Sequence, residues 1–210
     1  MKYKAILLDI DGTLITLDSV VNAMIKASQK MGLISLTRNQ ILNKIVGHRT
    51  ISSFRKIYPK YASRAYEFRD LYHTIYLKTK ETPTPYSKDL LRKLRKNKIK
   101  IGIVTSKSKR LAKRTLRNFI YDAVITEDDV LKTKPNKEPV IKLCRKLKVK
   151  PRDCVCVGDH IFDILAAKRA GCALAIGTLT GKSNKKELLK YGADKTVKNL
   201  KGLVKILDLR

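Results

Sequence analysis

The sequence predicts an α/β protein built around a parallel β-sheet, with a smaller all-helical domain inserted after the first strand. From residue 83 onward, helical patterns alternate with short apolar strands, and this alternation is typical of a parallel sheet covered by helices on both faces. Residues 18–82 instead show helical periodicity without a convincing strand. We therefore expect a three-layer core of residues 1–17 and 83–210 and a helical domain of residues 18–82.

The first predicted strand covers residues 3–10, where an apolar run leads into the turn residues Gly12-Thr13. In the inserted segment we expect helices that end at Gly32 and Gly47, because glycine commonly closes helices. An aromatic-rich helical stretch over residues 54–77 follows them.

The two prolines Pro83 and Pro85 cannot lie inside a helix and therefore mark the return to the core. From there, apolar runs predict five further strands, at residues 99–104, 122–125, 153–157, 172–176 and 194–197. The intervening patterns predict helices at residues 87–97, 108–118, 136–147, 162–170 and 184–191, with one more helix after the last strand.

Length and composition bound the class of protein. A chain of 210 residues with 43% hydrophobic residues can bury one core and a small second domain. The apolar N-terminal run is short and contains two acids, so we read it neither as a membrane span nor as a signal peptide. We expect a cytoplasmic protein without a membrane partner, and the sequence leaves monomer and homodimer open.

The charge of the chain is strongly positive, with 47 Lys and Arg residues against 18 Asp and Glu and a formal net charge of +29. Such a field attracts anions, which makes phosphate esters, nucleotides and nucleic acids the partners to consider. Because the basic residues are scattered along the chain, a lysine-rich composition with solvated helix faces explains most of the charge. A nucleic-acid partner is therefore the less favoured reading.

The four cysteines, Cys144, Cys154, Cys156 and Cys172, lack the C-x-x-C spacing of metal and redox sites. Cys154 and Cys156 alternate with valines, which places both on one face of a strand. We read the cysteines as reduced core residues.

The segment ILLDIDGTL, residues 6–14, carries the strongest chemical signal. It places Asp9 and Asp11 where a buried strand ends, which is where open α/β sheets bind ligands. A calcium-binding loop also begins D-x-D-G, but it needs Gly at its sixth position and Glu at its twelfth. Those positions hold Leu14 and Val20, so a calcium loop is excluded.

Three further segments bring polar groups to the ends of later strands. They are Thr105-Ser106-Lys107, Lys134-Pro135 and Gly158-Asp159, the last with Asp163 four residues on. Because parallel strands have their C-terminal ends at the same edge of a sheet, these groups can meet Asp9 and Asp11.

In this order, the four segments resemble the motifs of the haloacid dehalogenase superfamily of phosphohydrolases. PYSKDLLRKLRKNKIKIGIVTSK, KPNKEP, VGDHIFDILAAKRAG and TGKSNKKELLKYGAD are similar to the subgroup of phosphoglycolate phosphatases and their pyrophosphatase relatives. The resemblance covers the core and is weaker in the helical domain. It implies a Rossmann-like core with a cap domain, and phosphoryl transfer, since true dehalogenases lack the second aspartate.

The resemblance implies a role for each motif. Asp9 corresponds to the nucleophile that forms an aspartyl-phosphate, and Asp11 to the general acid and base. Lys134 would neutralise Asp9 and the transferring oxygens. Lys132 competes with Lys134 for this role, but the Pro135 that follows favours Lys134.

Phosphate contacts come from the Thr105 hydroxyl and from the backbone N–H groups at Gly12 and Ser106. The implied metal is Mg²⁺, held by Asp9, Asp159 and the backbone carbonyl of Asp11. Asp163 either supports the metal site without direct contact or favours a helix N-terminus electrostatically.

The helical domain is expected to select the substrate. Lys44, His48 and Arg49 are candidate contacts, and Arg49 suits a second anionic group of the substrate, although ordinary surface residues are the plainer interpretation. Tyrosines between residues 58 and 76 either stack bases or, as we favour, pack a small helical core.

Three functions follow. The leading one is a Mg²⁺-dependent phosphatase for small phosphorylated metabolites, with phosphoglycolate the first candidate. The alternatives are a phosphomutase that uses the same intermediate, and a nucleic-acid-associated phosphatase or binding protein.

Overall fold

The computed structural model describes residues 3–44 and 47–209. The chain divides into two compact units, one of residues 1–16 and 83–210 and the other of residues 17–82. The expected helix end at Gly47 falls partly outside the described residues, because residues 45 and 46 are not among them.

The first unit contains one six-stranded sheet. Its strands are β1 (Ala5–Leu8), β2 (Lys100–Val104), β3 (Ala123–Ile125), β4 (Cys154–Gly158), β5 (Leu174–Thr178) and β6 (Lys195–Val197). They lie in the order β3-β2-β1-β4-β5-β6, and every neighbouring pair is parallel. The predicted α/β class with a parallel sheet is confirmed.

Helices cover this sheet. They are α5 (Ser87–Lys96), α6 (Lys109–Thr115), α7 (Glu138–Leu147), α8 (Ile161–Ala170), α9 (Lys185–Lys190) and α10 (Lys201–Ile206), and the labels α1 to α4 belong to the second unit. Alternate residues of β1 enter two separate clusters of buried side chains: Ile6 and Leu8 in one, Ala5 and Leu7 in the other. This alternation is the period of a strand whose two faces are both buried.

The central strand β1 is shorter than the predicted strand of residues 3–10. Its ladder with β2 and β4 ends at Leu8, which pairs with Ile103 and Val157. Asp9 and Asp11 therefore lie in the loop beyond the strand, and loop hydrogen bonds rather than strand pleating direct their side chains.

The second unit is helical. It contains α1 (Asp18–Lys30), α2 (Arg38–Lys44), α3 (Thr50–Ile57), a 3₁₀ segment (Pro59–Arg64) and α4 (Ala65–Lys78). The break at Pro59 separates α3 from α4 because proline cannot continue a helix from within.

Aromatic side chains form much of the core of the second unit. The ring centroids of Phe54 and Phe68 lie 4.6 Å apart, and the side chains of Tyr72 and Tyr76 are also buried. The Tyr58 hydroxyl donates to the Ile34 carbonyl at 2.6 Å. The buried tyrosines thus pack a small core, as the sequence indicated, whereas Tyr61 and Tyr66 are exposed.

Two features of composition complete the description. All four cysteines are free thiols, and three of them, Cys144, Cys154 and Cys156, are buried. Across the described residues, no helix combines the length and the apolar content needed to cross a membrane.

Candidate active site

The loop after β1 is held close to the sheet by its own backbone. The Asp9 N–H donates to the Val157 carbonyl at 3.1 Å, which continues the sheet by one bond. The Gly12 N–H donates to the Ile15 carbonyl at 2.8 Å, and Gly12 has a φ of +78°, which glycine adopts without strain. This tight turn returns the chain immediately after Asp11.

Lys134 joins two of the acids. Its buried Nζ donates to Asp9 Oδ1 at 2.8 Å, to Asp163 Oδ1 at 2.6 Å and to the Val104 carbonyl at 3.2 Å. Burial lowers the pKa of Lys134, but the carboxylates of Asp163 and Asp9 outweigh it and raise the pKa above its ordinary value. Lys134 is therefore a fixed positive charge in this site.

Three buried carboxylates come together around this lysine. Asp9, Asp159 and Asp163 each offer an oxygen, and these oxygens all lie within 4.8 Å of one another. Burial raises the pKa of Asp9, with Asp163 adding to the rise and Lys134 opposing it. Burial and the charges of Asp163 and Asp9 likewise raise the pKa of Asp159 well above its ordinary value.

The donor set fits a hard divalent cation. Three carboxylates against one ammonium leave excess negative charge where water is excluded, and such charge is costly without a cation. Oxygen donors from a few carboxylates are the ligands that Mg²⁺ takes, with water and substrate oxygens completing its shell. Asp9, Asp159 and Asp163 are thus the described residues placed to hold the expected metal.

The Asp163 carboxylate makes two contacts, one at the start of α8 and one with Lys134. Its Oδ2 accepts the N–H of His160 at 3.1 Å, which caps the start of α8, while its Oδ1 accepts from Lys134. A Cβ added at Gly158 would clash with the Asp163 carboxylate, so glycine there leaves room for this acid.

Two glycines make room for Asp159 in the same way. A Cβ added at Gly12 or at Gly181 would clash with the Asp159 carboxylate. The N–H of Lys182 donates to Asp159 Oδ2 at 2.7 Å, and the Thr180 hydroxyl donates to the Gly12 carbonyl at 2.7 Å. The loop after β5 therefore holds the loop after β1 and the acid after β4 together.

Asp11 lies outside the three-acid cluster and has its own lysine. Lys107 Nζ is 2.9 Å from Asp11 Oδ1, and the Lys107 side chain is 2% exposed while that of Asp11 is 19% exposed. The three-acid group does not include the Asp11 side chain. The expectation that the backbone carbonyl of Asp11 meets the metal stays a prediction.

The segment after β2 is ordered around Thr105. Its N–H donates to the Ile125 carbonyl at 3.0 Å, and its hydroxyl oxygen accepts the Lys107 N–H at 3.1 Å. The buried hydroxyl oxygen of Ser106 has no hydrogen-bond partner among the described residues. A buried hydroxyl without a protein partner suits an oxyanion that binds between these groups.

Of the two competing lysines, Lys134 is the one that enters the site. The Lys132 N–H donates to the Glu138 carboxylate at 2.9 Å, and Lys132 is exposed. The neighbouring acids of residues 127–129 form a 3₁₀ turn in which Asp129 accepts the Thr126 N–H at 2.8 Å. These acids form a turn and its cap and do not belong to the three-acid group.

The candidate contacts of the helical domain all lie within the second unit. Lys44 and His48 line a cavity of about 300 Å³ together with Ser52, Ser53, Lys56 and Ile57. Arg49 precedes α3, and its carbonyl accepts the Ser52 hydroxyl at 2.9 Å. Their participation in substrate binding stays a prediction.

Sequence reasoning gave no role to the Lys107 ammonium or to Thr180, Gly181 and Lys182. The last three belong to TGKS, which contributed to the family resemblance, and they directly follow a predicted strand. Their position after β5 was the available signal, since this strand ends at the same edge of the sheet as the other motifs.

Comparison with known proteins agrees with this geometry. Residues 6–176 match the family model of haloacid dehalogenase-like hydrolases. The pyrophosphatase PpaX of Anoxybacillus flavithermus is 31% identical over 218 residues, covering 100% of this chain and 99% of the relative. PpaX of Oceanobacillus iheyensis is 29% identical over 213 residues, covering 99% and 98% respectively.

Solved structures share the fold. A haloacid dehalogenase-like hydrolase from Bacteroides fragilis superposes with a TM-score of 0.86 at 26% identity, covering 96% of this chain and 100% of the other. A predicted phosphoglycolate phosphatase from Haemophilus somnus gives a TM-score of 0.87 at 22% identity, with 99% of both chains covered.

Proposed function

Because the chain belongs to the haloacid dehalogenase-like hydrolases and is a phosphatase, we propose that it hydrolyses small phosphorylated metabolites with Mg²⁺ through an aspartyl-phosphate on Asp9. The observation that carries the proposal is the buried group of Asp9, Asp159 and Asp163, neutralised by Lys134. A carboxylate nucleophile, a fixed cation and a metal-type donor set thus occur in one place, as phosphoryl transfer requires.

In the first step, an Asp9 carboxylate oxygen attacks phosphorus and the bond to the leaving oxygen breaks. The Lys134 ammonium, 2.8 Å from Asp9 Oδ1, offsets the negative charge that gathers between the nucleophile and the phosphoryl oxygens. The Thr105 and Ser106 region supplies hydroxyl and backbone donors for those oxygens.

Asp11 serves the proton transfers. It gives a proton to the leaving oxygen in the first step and takes one from water in the second, when water attacks the aspartyl-phosphate and releases phosphate. Its carboxylate is half-buried and, unlike that of Asp9, does not belong to the three-acid cluster.

Mg²⁺, when bound by Asp9, Asp159, Asp163 or the Asp11 carbonyl, would neutralise phosphoryl oxygens and orient the phosphate for in-line attack. The protein itself fixes the carboxylate oxygens. The Lys182 N–H donates to Asp159, and the His160 N–H and the Lys134 ammonium donate to Asp163. All three acids are buried, so little water reaches them.

Two substrates lead. Phosphoglycolate is the candidate from the sequence resemblance, and inorganic pyrophosphate is favoured by relatives named pyrophosphatase that match over almost the whole chain. We propose that residues 17–82 act as the cap domain that distinguishes them, with Arg49 as a candidate partner for a second anionic group.

Asp9→Asn tests the nucleophile. Because an amide cannot form the aspartyl-phosphate, turnover of p-nitrophenyl phosphate, phosphoglycolate and pyrophosphate should fall by at least about 10³-fold, while the melting temperature stays near that of the wild type. The measurement is phosphate release with excess Mg²⁺ and with EDTA, which should abolish activity. Unchanged turnover in the variant would remove the assignment of Asp9.

The matched control is Asp70→Asn, which removes an exposed acid of α4 that pairs with Arg69. It should leave turnover unchanged. A sugar bisphosphate that is rearranged without release of phosphate would instead favour the mutase alternative, and hydrolysis confined to nucleic-acid ends would favour the nucleic-acid alternative.

A further inference from the structure

Lys107 is a buried lysine for which the proposed chemistry has given no role. Its side chain is 2% exposed, and its Nζ lies 2.9 Å from Asp11 Oδ1. Its backbone is fixed on both sides, because its N–H donates to Thr105 Oγ1 at 3.1 Å and its carbonyl accepts the Glu127 N–H at 3.2 Å. Burying an ammonium is costly, so a lysine held this way indicates a specific use of its charge.

Two buried lysines divide the acids of the site between them. Lys134 contacts Asp9 and Asp163, which belong to the three-acid cluster, whereas Lys107 contacts Asp11, which does not. Asp9 and Asp11 are separated by a single residue, yet their carboxylates have different cationic partners. If a divalent cation is bound by the three-acid cluster, the Lys107 ammonium would offset the attraction of the Asp11 carboxylate toward that cation.

We propose that Lys107 is a positioning residue that holds the Asp11 carboxylate apart from the metal-binding acids, so that it remains available for proton transfer. This inference rests on the proposed function. The role proposed for Lys107 differs from that of Lys134, whose ammonium faces the nucleophile. It also differs from that of a purely structural lysine, whose loss would slow all substrates equally.

The consequence is a dependence on the leaving group. Expulsion of an alkoxide needs a proton from Asp11, whereas p-nitrophenolate is a stable anion and leaves with little help. A displaced Asp11 therefore slows the first step selectively for alkyl phosphates, whereas the second step, in which Asp11 takes a proton from water, is the same for all substrates. A shift of about 1 Å in a catalytic group can cost roughly 10²-fold in rate.

The test is Lys107→Met, compared with wild type on phosphoglycolate and on p-nitrophenyl phosphate. Because kcat/KM reports the steps up to release of the leaving group, we expect kcat/KM to fall about 10- to 100-fold for phosphoglycolate and less than about threefold for p-nitrophenyl phosphate. Lys107→Arg keeps the cation and should recover most of the loss. Asp11→Asn should show the same selectivity with a larger amplitude.

A second measurement does not depend on turnover. In Lys107→Met, Asp11 is free to approach the metal, so Mg²⁺ binding measured by calorimetry should tighten several-fold. The double variant Lys107→Met/Asp11→Asn, compared with Asp11→Asn alone, should show a clearly smaller tightening. If Lys107→Met does not fold, as judged by circular dichroism, the same measurements are made on Lys107→Gln, which removes the charge but keeps a polar side chain.

Equal losses of kcat/KM on both substrates, or equal tightening of Mg²⁺ binding with and without the Asp11 carboxylate, would overturn the inference. Its failure differs from failure of the proposed function. If wild type hydrolyses both substrates and Asp9→Asn abolishes both, only the role of Lys107 is at stake. If wild type hydrolyses none of phosphoglycolate, p-nitrophenyl phosphate and pyrophosphate, the proposed function fails and the inference fails with it.

Discussion

Single residues at this site are arranged so that carboxylates approach one another more closely than their charges favour. Glycines make that approach possible, because Gly12, Gly158 and Gly181 each leave space that a Cβ would take from Asp159 or Asp163. Lysines reduce the repulsion, with Lys134 placed between two acids. The buried acids are therefore held by steric space and by counter-charge together.

Gly181→Ala tests the steric part. The new Cβ would clash with the Asp159 carboxylate, so Asp159 must move and its hydrogen bond from Lys182 must weaken. Because the groups that orient a metal ligand are typically worth about 10- to 100-fold in metal affinity, we expect Mg²⁺ affinity to fall by that factor, measured by calorimetry.

The control for this variant is Gly171→Asn, at the end of α8. Nothing lies within 4 Å of an added Cβ there, and asparagine tolerates the left-handed backbone that Gly171 adopts. Mg²⁺ affinity should be unchanged. Equal affinity in wild type and Gly181→Ala would show that Asp159 does not need its present position to hold the metal.

Elements rather than residues set where the polar groups converge. Six parallel strands bring the loops after β1, β2, β4 and β5 to one edge of the sheet. The loop that carries Lys134 follows no strand directly, and α7 anchors it instead. The Glu138 carboxylate at the start of α7 accepts the N–H groups of Leu131 at 3.0 Å and Lys132 at 2.9 Å.

Glu138→Ala should loosen this loop and move Lys134. We expect kcat to fall about tenfold without a large change in global stability, as measured by steady-state kinetics and thermal melting. The hydrogen bond from Lys142 and those from the two backbone groups lower the pKa of Glu138 to about 2. The anchor is therefore complete above the unfolded pKa of about 4.3 and is lost only as the pH falls toward 2.

It follows that the ratio of wild-type to Glu138→Ala activity should stay constant between about pH 5 and 9. Asp194→Ala is the matched control, because the Asp194 carboxylate accepts the Ala175 N–H at 2.7 Å just before β6, at the edge of the sheet where the parallel strands begin. A ratio near one at every pH would mean that Lys134 does not depend on Glu138.

Sequence patterns predicted the elements better than their contacts. The parallel direction of the strands follows from the alternation of helices and strands, whereas their order in the sheet was not predicted. The motif acids were found because they end apolar runs. The approach of Gly181 and Lys182 to Asp159, and of Lys107 to Asp11, was not predicted. These contacts join residues far apart in the chain, and only the packed loops bring them together.

At the scale of the whole molecule, the charge of the site opposes that of the chain. The chain carries a formal net charge of +29, which favours the approach of anionic substrates. The buried acids that would bind Mg²⁺ are instead a local excess of negative charge. Without a metal this excess would destabilise the folded state and a bound metal would neutralise it, so we expect metal binding and folding to be coupled.

Metal removal should therefore have a pH-dependent effect on stability. Burial and neighbouring carboxylates raise the pKa of Asp159 well above its unfolded value. The folded state then binds a proton more tightly than the unfolded chain, so ionising Asp159 above its folded pKa costs stability, and protonating it as the pH falls restores that stability. Mg²⁺ competes with this proton, so it should stabilise most at high pH.

Differential scanning fluorimetry at pH 8 and pH 5, with and without Mg²⁺, measures this coupling. At a Mg²⁺ concentration of about 100 times Kd, binding contributes about 2.7 kcal/mol, which corresponds to a rise of roughly 5–10 °C in Tm for a chain of this size at pH 8. The rise should shrink at pH 5. Asp159→Asn should abolish it and should also melt higher than metal-free wild type at pH 8, because it removes a buried charge that lacks its cation. A melting temperature below that of metal-free wild type would show that the protein already stabilises the ionised Asp159 carboxylate. The predicted coupling of metal binding to folding would then be wrong.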